Sequence, residues 1–104
     1  MKFLVICRLR EGADPQTEIV PHAGDEMTAL RRLRDDGSLR DAYSPGGPGA
    51  ILFFEGTRDE VERVVQELPL VRVGAITIEL IELHAFAGLT FRGTEVAFEQ
   101  EKRG

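Results

Sequence analysis

The sequence predicts an α+β domain in which strands and helices alternate along one chain of 104 residues. Two observations carry this prediction. Short runs of β-branched and aromatic residues, bounded by turn signals, indicate strands, and a capping box followed by valines at helical spacing indicates a helix between two of them. A chain of this length and apolar content forms one domain with a single modest core.

The first predicted strand, Lys2–Leu9, is apolar on both alternating faces, so we expect both faces to be covered. Nothing near Cys7 in this strand is arranged to favour a thiolate, and we expect a core residue rather than a reactive thiol. Cys7 is the only cysteine, which excludes an intrachain disulfide and fits a reducing, cytoplasmic location. The run is too short for a membrane span or a signal segment.

A helical region follows the first strand. Asp14 is its expected N-cap and Pro15 its first helical residue. Pro21 should kink or restart the helix, which we expect to continue to Asp36 and to stop at Gly37, the C′ residue.

The next two strands, residues 38–44 and 50–55, are predicted to form an antiparallel hairpin joined by a turn at residues 45–49. The glycines of that turn also suggest a phosphate-binding loop. However, no Lys-Ser/Thr pair follows them, and a strand rather than a helix comes next. We therefore interpret the segment as a turn.

The second helix begins at a capping box formed by Thr57 and Glu60. An apolar stripe follows at helical spacing and consists of Val61, Val64, Val65 and Leu68. Pro69 should end this helix at Leu68, and Gly74 should free the entry into a last strand at residues 75–83.

The resulting order, β-α-β-β-α-β, is the ferredoxin-like arrangement of a four-stranded antiparallel sheet with both helices on one face. The other face is left bare, and a second copy of the chain is the simplest cover for it. We assign residues 1–86 to this domain and residues 87–104 to a C-terminal extension that could serve as an oligomerisation arm.

The charge pattern excludes one class of partner. The formal net charge is −5, with acidic and basic residues interspersed and no basic stripe that could neutralise phosphates. We expect neither a nucleic acid nor a membrane as partner.

Several short segments, taken together, resemble the muconolactone isomerase-like branch of the dimeric α+β barrel superfamily. The match extends over roughly residues 2–86 and is most specific in the spacing from Glu26 to Gly37 and in the Leu-Pro-Leu around Pro69. The other matching positions are Leu33 to Asp36, Arg40, Gly49, Glu55 and Ile76 to Glu79.

This resemblance implies a ferredoxin-like domain whose sheets pair across a homodimer into a barrel, sometimes with higher assembly. It also implies a pocket for a small organic molecule, such as an aromatic-degradation intermediate or a polyketide-like compound, without metal or flavin. Muconolactone isomerase itself moves a proton within an unsaturated lactone.

The first helix carries the candidate catalytic residues. At about 100° per residue, Glu26 falls within the apolar arc of this helix, and desolvation there would make its carboxylate a better base near neutral pH. The arc consists of Ile19, Ala23, Met27, Leu30 and Leu33. His22, one turn earlier, is within reach as an orienting partner or is a surface residue at the kink. Glu26 could instead pair with Arg40 or cap a neighbouring backbone.

Three further residues are candidates for substrate binding. Arg40 could hold a substrate carboxylate, and Tyr43 could donate to a ligand carbonyl; a surface ion pair and an ordinary edge-strand tyrosine are the alternatives. Simple alternation places these two on opposite strand faces, so at most one should enter a shared pocket. His84 closes the last strand near Glu82. With His22 and Glu26 it would offer zinc or iron ligands, but no motif fixes the set, and we predict no metal.

The sequence therefore predicts a cofactor-free isomerase that shifts a proton on an unsaturated lactone or a related acid. Two alternatives stay open. One is a cofactor-independent monooxygenase, which the wider superfamily contains, and the other is a module that binds a small molecule or dimerises without catalysis.

Overall fold

The computed structural model describes residues 1–88, which form a four-stranded antiparallel sheet with helices on one face. The strand order β2-β3-β1-β4 confirms the predicted ferredoxin-like fold. The strands are β1 (Lys2–Leu9), β2 (Leu39–Tyr43), β3 (Ala50–Glu55) and β4 (Ile76–Leu83). The helices are α1 (Pro15–Glu18), α2 (Ala23–Asp35), α3 (Arg58–Gln66) and α4 (Pro69–Arg72). Most of the predicted C-terminal extension, residues 89–104, lies outside the described residues.

The first helical region is interrupted at Pro21, as predicted from the sequence. Asp14 caps α1 by accepting the N–H of Gln16 at 3.1 Å. Pro21 lies in a 3₁₀ turn, Val20–His22, after which the chain restarts as α2. Gly37 follows the C-cap of α2 with a φ of 88°, the left-handed conformation that favours glycine. Within residues 1–88, no helix is long and apolar enough to cross a bilayer.

The β2–β3 hairpin is antiparallel, as predicted, and contains an irregularity that the sequence did not indicate. Its register shifts between Leu39 and Asp41, which places Arg40 in a bulge. Gly49, at the end of the turn, has a φ of 112°, and a Cβ there would collide with the carbonyl oxygen of Cys7. The hairpin therefore approaches β1 at a distance that only glycine permits.

The second helical region begins as predicted but ends differently. Thr57 and Glu60 form the reciprocal capping box. The prediction that α3 continues to Leu68 is wrong, because α3 ends at Gln66 and Leu68 is the N-cap of α4. The extended backbone before a proline disfavours helix, whereas a proline suits the first helical position, so Pro69 begins a new turn of helix.

The hydrophobic core lies between the sheet and the helices. Alternate residues of β1 and β3 point toward the helices and are almost completely buried, and Leu68 and Leu70 close this core from the side of α4. The strand residues concerned are Phe3, Val5, Cys7, Leu52 and Phe54. Cys7 is thus a core residue, as predicted, and burial, together with the nearby Glu26 carboxylate, raises the pKa of its thiol to about 11.

The opposite face of the sheet, which we call the open face, carries apolar side chains that are only half-buried in a single chain. These are Leu4, Ile6, Ile51, Phe53, Ile81 and Leu83. The two apolar sides of the first strand thus have different positions: one lies in the core, and the other forms part of the open face.

Candidate functional site

Glu26 lies on the face of α2 that turns toward the sheet, as the sequence predicted. Ile19, Leu30 and Leu33 of the predicted arc pack against the core. Ala23 is exposed and Met27 is 47% exposed, so that part of the predicted arc is wrong. Within α2 the face toward the core consists of Glu26, Ala29, Leu30 and Leu33, and at about 100° per residue Ala23 and Met27 fall outside it.

The carboxylate of Glu26 is held by the backbone of α4. Its Oε1 atom accepts the N–H of Leu70 at 3.0 Å, in a partly buried position. Because Pro69 has no N–H, the Leu70 N–H is the first donor that α4 can offer. Of the two structural roles that the sequence left open, capping a neighbouring backbone is the one observed, and no ion pair joins Glu26 to Arg40 within residues 1–88.

Burial raises the pKa of the Glu26 carboxyl, and the Leu70 N–H offsets part of that rise by stabilising the ionised form. Among the hydrogen bonds of residues 1–88, none involves the second oxygen, Oε2. Among the residues of 1–88 that are not exposed, no side-chain oxygen is completely buried without a hydrogen-bond partner. Because Glu26 is one of these residues and its Oε2 has no partner, Oε2 retains contact with solvent. One oxygen of Glu26 is therefore anchored by the backbone, and the other is not fully buried.

His22 is half-buried and forms the N-cap residue of α2, one turn before Glu26. Within the described chain its imidazole makes no hydrogen bond to the Glu26 carboxylate, whose recorded partner is the Leu70 N–H. The predicted pair of His22 and Glu26 is thus adjacent along the helix without being joined.

Arg40 and Tyr43 line one cleft of about 540 Å³ over strands β2 and β3. The expectation that they face opposite sides is wrong, because the bulge at Arg40 breaks the alternation. The Tyr43 hydroxyl donates to Oδ2 of Asp41 at 2.6 Å, and this hydrogen bond, with the charge of Asp41, raises the pKa of the phenol. In this arrangement Tyr43 offers its ring, rather than its hydroxyl proton, to a ligand.

His84 lies elsewhere again. It is 71% exposed, and its Nε2 atom lies 2.8 Å from Oε2 of Glu82, whose Oε1 atom lies 3.5 Å from Arg58. Glu82 pairs with Phe3 across the sheet, whereas Glu26 lies near Cys7, four residues further along β1. Four strand residues span about 13 Å, so His84 and Glu26 are at opposite ends of the sheet.

The predicted site residues thus lie at three separate places in one chain. Three further residues contact them or share their cleft, and the sequence did not predict these three. The Leu70 N–H anchors Glu26, and Lys2 and Phe53 join Arg40 and Tyr43 in the cleft. The contact of Leu70 could have been predicted, because a proline at the first position of a helix leaves the N–H of the next residue as a free donor. The other two depend on strand pairing, which local patterns do not specify.

Comparisons with known proteins identify the fold. No protein-family model and no curated protein matches the sequence. Among solved structures, muconolactone isomerase at 3.3 Å resolution superposes with a TM-score of 0.66 and 23% identity, over 84% of this chain and 92% of that one. A second is 5-chloro-2-hydroxyhydroquinone dehydrochlorinase (TftG) from Burkholderia phenoliruptrix AC1100, in complex with 2,5-dihydroxybenzoquinone. It superposes with a TM-score of 0.65 and 18% identity, over 81% of this chain and 94% of that one.

These superpositions establish a shared fold. The chain has the ferredoxin-like α+β fold of muconolactone isomerase and of the dehydrochlorinase. The resemblance predicted from the sequence is confirmed at that level.

Proposed function

We propose that this protein is a small-molecule enzyme of the muconolactone isomerase type, which shifts a proton on an unsaturated lactone or a related acid without a cofactor. Glu26 is the proposed base. The observation that carries the proposal is its carboxylate, which has one oxygen anchored by Leu70 and the other in contact with solvent. The names of the two structural relatives, an isomerase and a dehydrochlorinase, support chemistry on a small organic molecule.

The proposed reaction needs one base that takes a proton from one carbon and returns it to another. The Leu70 N–H would fix the direction of the Glu26 carboxylate while Oε2 accepts the proton. Burial raises the pKa of Glu26, which brings the strength of the base closer to neutral pH. His22 remains a proposed orienting partner, since hydrogen bonds of catalytic groups often tighten only when a substrate is bound.

We also propose a homodimer, or a higher homo-oligomer, in which a second copy covers the open face. Half-buried apolar side chains on one sheet face are typical of an interface, and a small domain gains stability from covering them. The occupant favoured here is a second copy, because the resemblance predicts pairing of two sheets.

A non-catalytic ligand-binding or dimerisation module is the second candidate, and one observation favours it. The hydrogen bond from Leu70 gives Glu26 a purely structural reason to be half-buried. On this alternative, Glu26 only fixes α4 against α2, and no turnover depends on it.

The two candidates are separated by turnover measured with matched variants. A thermal-shift screen of lactones and dienoic acids would first select a ligand, since a ligand that binds the folded state raises the unfolding temperature. Turnover of that ligand should then be lost in Glu26→Gln, which keeps an acceptor for Leu70 but cannot act as a base. Asp25→Asn, at the exposed neighbouring position, should behave as wild type. Unchanged turnover in Glu26→Gln would leave the non-catalytic module.

A further inference from the structure

The cleft over β2 and β3 has the features of a ligand site that is separate from Glu26. Its volume of about 540 Å³ is within the range of roughly 300–1,000 Å³ that small-molecule sites occupy. Tyr43 and Phe53 point to the open face, as their register with β1 requires, whereas Glu26 lies near Cys7 on the helix side. The sheet therefore separates this cleft from Glu26 of the same chain.

The lining of the cleft contains two cations that form no ion pair within residues 1–88, and two carboxylates that have other partners. Within residues 1–88, neither Arg40 nor Lys2 takes part in an ion pair. Asp41 accepts the Tyr43 hydroxyl at 2.6 Å, and Glu55 lies 3.5 Å from the N-terminal amino group. An anion entering the cleft would thus meet two positive side chains without ion-pair partners in residues 1–88, a Glu55 carboxylate balanced by the N-terminal amino group, and an Asp41 carboxylate that keeps its charge.

The aromatic side of the cleft suits a planar ligand. The rings of Tyr43 and Phe53 meet edge to face, with centroids 6.1 Å apart and an interplanar angle of 89°. In a single chain Tyr43 is 55% exposed, so part of its ring surface is free for stacking there. Because Asp41 uses its hydroxyl proton, Tyr43 adds aromatic surface to the cleft without a free donor.

We propose that this cleft binds a planar organic carboxylate, of the class of benzoates and conjugated dienoates. Its carboxylate would lie between Arg40 and Lys2, and its planar part would pack against Tyr43 and Phe53. A guanidinium suits this role because its donors match a carboxylate in pairs. This site does not depend on the proposed function of Glu26, and it lies at the β2 edge of the open face, so that in the proposed homodimer it would border the covering partner.

The test is a titration of the ¹⁵N-labelled full chain with benzoate and with benzamide, which keeps the ring but carries no charge. Benzoate should shift amide signals of β2 and β3 and bind more tightly than benzamide. Arg40→Gln should weaken benzoate binding by about tenfold or more, the usual effect of losing a charge-assisted hydrogen bond. Arg34→Gln, which changes an exposed arginine of α2, should bind as wild type.

Three results would overturn the proposal. They are equal affinity for benzamide and benzoate, equal effects of Arg40→Gln and Arg34→Gln, and shifts centred on Leu70 instead of the hairpin. Glu26→Gln should leave benzoate binding unchanged. If it abolished binding while Arg40→Gln did not, the ligand would lie at the proposed catalytic residue, and the cleft proposal would fail while the proposed function stood.

Discussion

Replacing Glu26 tests how the carboxylate is integrated in the fold. Glu26→Ala removes the acceptor of the Leu70 N–H, and Glu26→Gln retains one. Leaving a buried donor unpaired costs about 1–3 kcal/mol, and the half-buried position of Glu26 favours the lower part of that range. We therefore expect Glu26→Ala to be less stable than Glu26→Gln by about 1–2 kcal/mol, or several degrees in Tm for a domain of this size.

The assay combines urea unfolding with amide exchange at a single site. In Glu26→Ala the Leu70 amide should exchange faster than in wild type, because local opening of α4 no longer breaks a hydrogen bond, and in Glu26→Gln it should stay protected. Asp25→Ala and Asp25→Asn, at the exposed neighbouring position, provide the matched pair and should not differ in this way. Equal Leu70 exchange and equal stability in the two Glu26 variants would refute the role of this hydrogen bond.

Three further predictions concern pH, backbone and assembly. Since burial raises the pKa of Glu26 above its unfolded value, the stability of wild type relative to Glu26→Gln should fall as pH rises through that raised pKa, and acidification should restore it. Gly49→Ala should cost at least about 2 kcal/mol in urea unfolding, because its Cβ would collide with a β1 carbonyl oxygen. Ile81→Glu on the open face should convert an oligomer to monomer in sedimentation.

Each of these predictions has a control or a result that would contradict it. A stability difference between wild type and Glu26→Gln that stays flat with pH would contradict the raised pKa. Gly47→Ala should be nearly neutral, because a Cβ there has open space and no left-handed strain. Val73→Glu, at a position 47% exposed beside α4, should leave the oligomer intact. A wild type that sediments as a monomer would refute the pairing of open faces.

Local signals predicted most of the fold. The cap at Asp14, the interruption at Pro21, the glycine end of α2 and the capping box at Thr57 each depend on a few neighbouring residues, and the structure contains all of them. The order of these elements then left few topologies to consider. This is why the ferredoxin-like arrangement could be derived without a structure.

The candidate site was less predictable because it depends on contacts between distant segments. The bulge at Arg40 arises from pairing with β3, and it moves Arg40 into the same cleft as Tyr43. Pro69 carries two opposing preferences, to end one helix and to begin another, and only the packing of Leu68 and Leu70 decides between them. Because Pro69 begins α4, the Leu70 N–H is free to bind the Glu26 carboxylate, which lies 44 residues earlier in the sequence.

The most direct test of the proposed function is deuterium incorporation into an unsaturated lactone acid in D₂O, followed by NMR. If Glu26 takes a proton from one carbon and returns it to another, and if the proton on Oε2 exchanges with solvent in between, the product should carry deuterium at the receiving carbon in the wild type and in Asp25→Asn. Glu26→Gln should incorporate none above the uncatalysed background while staying folded. Incorporation by Glu26→Gln at the wild-type rate would contradict the assignment of Glu26 as the base.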